Sequence, residues 1–139
     1  MYEVTEGRGM IKLCGMRRTE DVRIINEFLP DYMGMILTQG FKRTVDIDTA
    51  KQLSDLTDSR IKKVGVFVNE PADNVNRIAE LLSLDVIQLH GDEDRAYIRS
   101  LDGICEVWKA VRVQSAEDIY RGEELGCDML LLDSFVKGA

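Results

Sequence analysis

Apolar positions along the chain follow two alternating rhythms: short runs of apolar residues, and longer stretches with apolar residues at helical spacing. IKLC at 11–14 reads as a first strand, and from Thr19 to Leu29 the residues Val22, Ile25 and Leu29 share one helical face. MGMIL at 33–37 reads as a second strand, followed after a loop by Ile47, Ala50 and Leu53 at helical spacing. KVGVFV at 63–68 is the third. Pro71, whose ring suits a first helical turn, then opens a helix whose Val75, Ile78, Ala79 and Leu82 form the clearest apolar stripe in the chain. DVIQL at 85–89 predicts strand four, Glu93 to Leu101 a short helix, Glu106 to Val113 strand five and DMLLL at 128–132 strand six. Ser115, with Asp118 three residues on, has the form of a capping box in which Asp replaces the usual Glu or Gln.

Strands that alternate with helices predict an α/β fold with a mainly parallel sheet, and near-continuous apolar strands predict that both sheet faces are covered. An open doubly wound sheet and a closed barrel both satisfy that pattern. The segment Leu13-Cys14-Gly15-Met16-Arg17 offers one glycine, so neither GxGxxG nor a P-loop follows the first strand. This weighs against a nucleotide-binding open sheet and leaves a flavodoxin-like one standing. An eight-stranded barrel usually takes about 250 residues and a compact one about 200, against 139 here. The expectation is a (β/α)8 TIM barrel, incomplete, with residues 1–139 supplying strands one to six and the last two βα units missing. Such a piece exposes two edges and one side of its interior. The remaining strands could instead come from another chain.

Composition changes this picture little: 45% hydrophobic and 31% charged residues are ordinary for a soluble domain. A formal charge of -7 argues against nucleic acid and anionic membranes as partners, because both are polyanions. A small anion remains possible where a few cations focus positive potential. Cys14, Cys105 and Cys127 are widely spaced and form no CxxC pair, so neither a disulfide framework nor a zinc knuckle is expected and a reducing cytoplasm fits best. MYEVTEGRGM lacks a signal-peptide core, and no apolar run reaches the roughly 18 residues of a membrane helix.

Functional residues in parallel α/β folds gather at the C-terminal strand ends. That filter selects Cys14, Lys42, Arg43, Asn69, His90, Arg112 and Asp133. Cys14 precedes a glycine that lets the chain turn tightly; its thiol is either a general base or a small core residue. Asp133 ends an apolar run, where a carboxyl is either a proton donor or a loop hydrogen-bonder. Arg43 can grip a carboxylate through two parallel hydrogen bonds, and the alternative for it and Lys42 is a solvated loop charge. His90, the single histidine, could orient a substrate or be satisfied by a neighbouring loop. With no second histidine, a metal has weak support. The acids of Glu20-Asp21 and Asp92-Glu93-Asp94 sit at helix beginnings, where the helix dipole accounts for them. Cys105 and Cys127 fall toward strand beginnings, on the opposite rim.

Lys12-Leu13-Cys14-Gly15-Met16, Lys42-Arg43-Thr44-Val45, Gly65-Val66-Phe67-Val68-Asn69, Ile87-Gln88-Leu89-His90-Gly91, Trp108-Lys109-Ala110-Val111 and Leu131-Leu132-Asp133 occur in this order over nearly the whole chain. Together they resemble the phosphoribosylanthranilate isomerase family of tryptophan biosynthesis. The resemblance implies a cofactor-free Amadori rearrangement of N-(5-phosphoribosyl)anthranilate, with Cys14 as general base, Asp133 as general acid and Arg43 holding the anthranilate carboxylate. It also implies a phosphorylated small-molecule substrate and a monomer or homodimer. Two departures stand out. LTQGFKR lacks the Ser-Pro often found before the family's arginine. The family also holds the substrate phosphate on loops after strands seven and eight, and Phe135-Val136-Lys137-Gly138-Ala139 supplies none of those donors. Weak substrate binding is therefore expected of this chain alone. A different sugar-phosphate barrel enzyme such as an epimerase, a flavodoxin-like regulatory domain and a non-catalytic barrel fragment are the competing readings.

Overall fold

The structure, a computed structural model, describes residues 9–101, 103 and 105–134. The opening stretch read for a signal peptide falls largely outside them, as do residues 135–139. The described residues form β1 (Lys12–Cys14), α1 (Thr19–Phe28), β2 (Tyr32–Ile36), α2 (Ile47–Leu56), β3 (Lys62–Phe67), α3 (Ala72–Leu82), β4 (Val86–Leu89), α4 (Arg95–Arg99), β5 (Glu106–Val113), α5 (Ala116–Glu123) and β6 (Met129–Ser134). Most boundaries fall within one or two residues of those predicted, because side chains at the helix starts fix them. Asp46 accepts from the Thr49 N–H at 2.7 Å and Asp94 from the Tyr97 N–H at 2.8 Å. Asp118 accepts from the N–H groups of Gln114 and Ser115 at 2.8 and 3.1 Å, which is the reciprocal half of the capping box. Those backbone hydrogen bonds hold its carboxyl below the usual range.

All six strands are parallel and lie in sequential order, β1-β2-β3-β4-β5-β6. A doubly wound sheet reverses its strand order at a switch point, and no reversal occurs here. Met33, Met35, Phe67, Ile87 and Leu89 pack with Val22, Ile25, Leu53, Val75, Ile78 and Leu82 of the helices. The alternate strand residues Tyr32, Val64, Val66, Val86 and Trp108 form a second cluster. One face of the sheet is thus covered by helices, and the other packs against itself. On a flat sheet β2 and β5 would stand about 14 Å apart, three strand spacings. The rings of Tyr32 and Trp108 nevertheless meet edge-on with centroids 4.8 Å apart, and Lys12 of β1 donates to Gln88 Oε1 of β4. The sheet therefore curls into the wall of a (β/α)8 barrel, with six of its strands in place.

Strand six is one of the two edges expected to stand open: DMLLL is an apolar run, yet Leu132 is 58% exposed and Met129 40%. Among the described residues β6 pairs only with β5, and β1 pairs only with β2. An apolar strand that lacks a neighbour on one side keeps its hydrophobic sequence but not its burial.

Candidate active site

Side chains alternate across a strand, so the residues that share parity with the interior cluster point into the barrel. These include Lys12 and Cys14 on β1, Gln88 on β4, Trp108 and Arg112 on β5, and Asp133 on β6. The pairings Cys14 with Gly34 and Arg112 with Asp133 place each pair at one level. Asp133 is the second-last residue of β6 rather than the residue after it, since β6 pairs with β5 as far as Ser134.

One part of the rim is built from the ends of β4, β5 and β6. His90 follows β4 directly, and its N–H donates to the Phe67 carbonyl at 2.9 Å. Its Nε2 lies 3.8 Å from Asp133 Oδ2, close enough for an ion pair when the imidazole is protonated. A cavity of about 430 Å³ opens here, lined by Asn69, His90, Arg112, Arg121 and Asp133 among others. The second part lies at β1. Gly15 has φ +86°, which a glycine adopts without penalty. A methyl group on Gly15 would stand 3.2 Å from Arg43 Nη1, so the guanidinium packs over the residue next to Cys14. A methyl on Gly34 would meet Cys14 Sγ at 3.0 Å, so the thiol occupies the space that glycine leaves. Cys14 and Arg43 do not line the cavity, and Lys42 and Phe41 remain on the exposed loop.

Sequence reasoning missed the network that fixes the loop after β4. Glu93 was expected to serve the dipole of α4, but that helix starts at Arg95 with Asp94 as its cap, which leaves Glu93 free to turn inward. Its Oε1 accepts from Lys109 Nζ at 2.7 Å and from the Gly91 N–H at 2.9 Å, while Oε2 accepts from the Asn69 N–H at 2.8 Å. Lys109 also donates to the Gly91 carbonyl, and Asn69 Oδ1 accepts from the Asp92 N–H at 2.8 Å. The Lys109 and Glu93 side chains are 6% and 1% exposed. Burial pushes the Glu93 carboxyl up, but the Lys109 hydrogen bond and the backbone donors bring it below its ordinary value. The available signal was Lys109 itself: a cation inside VWKAV needs a buried carboxylate. The network ties β5 to the loops after β3 and β4 on either side of His90.

Cys105 and Cys127 pack against the helix-side core, just before β5 and β6. Burial pushes both thiols up. Among the described residues no three His, Cys, Asp or Glu side chains stand close enough to hold a metal ion. No described helix is long and apolar enough to cross a membrane.

Residues 11–139 match the family model described as N-(5'-phosphoribosyl)anthranilate (PRA) isomerase. Over 127 residues the chain is 42% identical to the N-(5'-phosphoribosyl)anthranilate isomerase of Thermoanaerobacter sp. (strain X514), covering 91% of this chain and 62% of that one. Over 125 residues it is 43% identical to the Clostridium acetobutylicum protein of the same name, covering 90% and 60%. The crystal structure of phosphoribosyl anthranilate isomerase from Thermotoga maritima superposes with a TM-score of 0.85 at 28% identity, covering 94% of this chain and 63% of that one. Another, solved with reduced 1-(o-carboxyphenylamino)-1-deoxyribulose 5-phosphate, gives 0.83 at 30% identity, covering 91% and 65%. The chain thus spans about three fifths of the length of the curated relatives it matches. A family match over residues 11–139, joined to a curling sheet of sequential parallel strands, shows that the chain belongs to the phosphoribosylanthranilate isomerase family.

Proposed function

We propose that this chain carries the proton-transfer residues of a phosphoribosylanthranilate isomerase, acting on N-(5-phosphoribosyl)anthranilate without a cofactor. The observation that carries the reading is the shared inner face and rim of Cys14, His90 and Asp133, with the Arg43 guanidinium packed over Gly15 beside Cys14. Asp133 donates a proton to the furanose ring oxygen as the C1–O bond breaks, leaving an iminium at C1. The iminium draws electrons from C2, and Cys14 as thiolate takes the C2 proton to give an enolamine that tautomerises to the ketose. Arg43 holds the anthranilate carboxylate in a fork of two hydrogen bonds. His90 holds substrate beside Asp133, and the Lys109–Glu93 network keeps its loop in place. The substrate phosphate falls to the loops after strands seven and eight, so the chain alone binds substrate weakly. In the cell the reading places the protein in the cytoplasm as a monomer or homodimer.

The test is turnover of substrate generated in place, with Ser134 of this chain joined to the part of the Thermoanaerobacter relative that follows its sixth strand. Cofactor-free turnover is expected, with a loss of about 10²- to 10⁴-fold in Cys14→Ala and in Asp133→Asn. Undiminished turnover in both variants would overturn the reading.

A further inference from the structure

Lys12 is a cation inside the barrel wall that the proposed chemistry has not used. It shares the inner face of β1 with Cys14 and stands at the level of Tyr32. Its ammonium donates to Gln88 Oε1, a neutral acceptor that is itself 4% exposed. Among the described residues no carboxylate pairs with it. A methyl group on Gly34 would meet Cys14 Sγ at 3.0 Å and Lys12 Cε at 3.4 Å, so the thiol and the end of the lysine flank the same small space. Lys12 is half-buried, and an ammonium drawn partly out of water without an anionic partner is costly. Burial pushes Lys12 below the ordinary lysine range, and a thiolate at Cys14 pushes it back up.

We infer that Lys12 is a positioning residue whose ammonium holds Cys14 as the thiolate, each supplying the charge the other lacks on the inner face of β1. The inference rests on the reading of Cys14 as the proton acceptor. It deepens that reading by naming what readies the thiol: the cation two residues earlier on the same strand face, in a space kept open by Gly34. Other charged and titratable groups surround the pair. Arg43 comes from the loop after β2. Tyr32 lies on β2, with Lys62 Nζ 5.8 Å from its ring centre. Glu106 of β5 accepts from the Trp108 indole N–H at 3.0 Å. Arg112, His90 and Asp133 line the cavity at the other part of the rim. Of the cations, Arg43 and Lys12 are those the geometry brings to Cys14, and only Lys12 lies within the wall.

The experiment reads the thiol directly and needs no substrate. In a Cys105→Ser, Cys127→Ser background, where serine can keep the hydrogen bonds to Leu84 and Met129 carbonyls, the rate of alkylation by iodoacetamide is followed against pH. The reagent is neutral, so a lysine charge alters the rate only through the thiol. In Lys12→Gln the midpoint should move to higher pH and the rate at neutral pH should fall on the order of tenfold. Lys12→Arg should stay near the parent profile. Superimposable profiles for the parent and Lys12→Gln would sink the inference. So would a Lys12→Arg profile displaced as far as that of Lys12→Gln, since shape rather than charge would then matter. Gln88→Leu covers the case in which Lys12→Gln does not fold: it keeps the ammonium and removes its neutral acceptor, so its midpoint should not rise. A rise to higher pH would count against the charge partnership. A displaced Lys12→Gln profile with no turnover in the completed barrel would leave the partnership standing and remove the isomerase reading. Turnover with superimposable profiles would do the reverse.

Discussion

Strands β2 to β4 and strands β1 and β6 have similar sequences but different environments. From Tyr32 to Met35, from Val64 to Phe67 and from Val86 to Leu89 every residue is buried, with helices on one side and the Tyr32–Trp108 contact on the other. In β1 and β6 no residue is fully buried, yet Cys14 and Asp133 sit on these two strands. Stability and proposed chemistry are thus housed on separate strands. The middle of the sheet sets the curvature, and the curvature presents β1 and β6 with their inner faces toward a common interior. Substitutions in the two regions should then differ in kind.

The largest expected effect lies in the buried network under the rim. Glu93→Ala leaves the Lys109 ammonium buried without its carboxylate and should cost about 3–5 kcal/mol of stability in chemical denaturation. Acid should expose the same dependence. The Glu93 carboxyl is depressed in the folded chain below its ordinary value of 4.5. Its contribution is therefore fully present above that value and is lost as pH falls through the lower folded one. Melting temperature should drop over this acid range, and the difference between parent and Glu93→Gln should shrink there. A difference that stays constant down the acid limb would mean that the pair is not what holds the loop.

A smaller effect tests the packing of the middle strands. A methyl group on Gly65 would stand 2.5 Å from Leu84 Cδ1 and 3.0 Å from both Leu37 Cδ1 and Phe67 Cε2, all in the helix-side core. Gly65→Ala should cost about 1–3 kcal/mol, because the core must shift to admit it. Circular dichroism melts that match the parent would show the middle of the sheet to be loosely packed, and would weaken the contrast with the edges.

The fold was legible in the sequence because its signals are local. Apolar periodicity and helix-start residues such as Pro71, Ser115 and Asp118 give element type and length, and the alternation of elements leaves two parallel architectures. Strand order was not legible from these signals, because an open sheet and a barrel present the same alternation. The missing glycine-rich loop after strand one weighed against one kind of open sheet, and the resemblance favoured the barrel, before the Tyr32–Trp108 contact did so physically. At the rim, the position of Cys14 before Gly15 and of His90 before Gly91 could be read from the chain. The inward turn of Glu93 could not, since its place beside Asp94 looks like a helix start. The partnership of Lys12 with Gln88 needs curvature between β1 and β4, which no local pattern encodes. The exposure of Leu132 follows from strand six standing at an edge and not from its own residues: hydrophobicity reports what a strand can bury, and burial depends on the neighbours it has.

Leu132 also gives the smallest expected effect and the sharpest test of the contrast. It is 58% exposed on a strand that pairs on one side among the described residues. Leu132→Lys should therefore change stability by less than about 0.5 kcal/mol, as surface substitutions do. Ile87, 2% exposed in the helix-side core, should cost about 2–5 kcal/mol when cut to Ala. Unpaired apolar edges also promote association, and an added lysine opposes it, so sedimentation at rising concentration should show less self-association in Leu132→Lys than in the parent. Should Leu132→Lys cost as much as Ile87→Ala, β6 would be covered in solution by a second copy, and the contrast between middle and edge would hold only for the single chain.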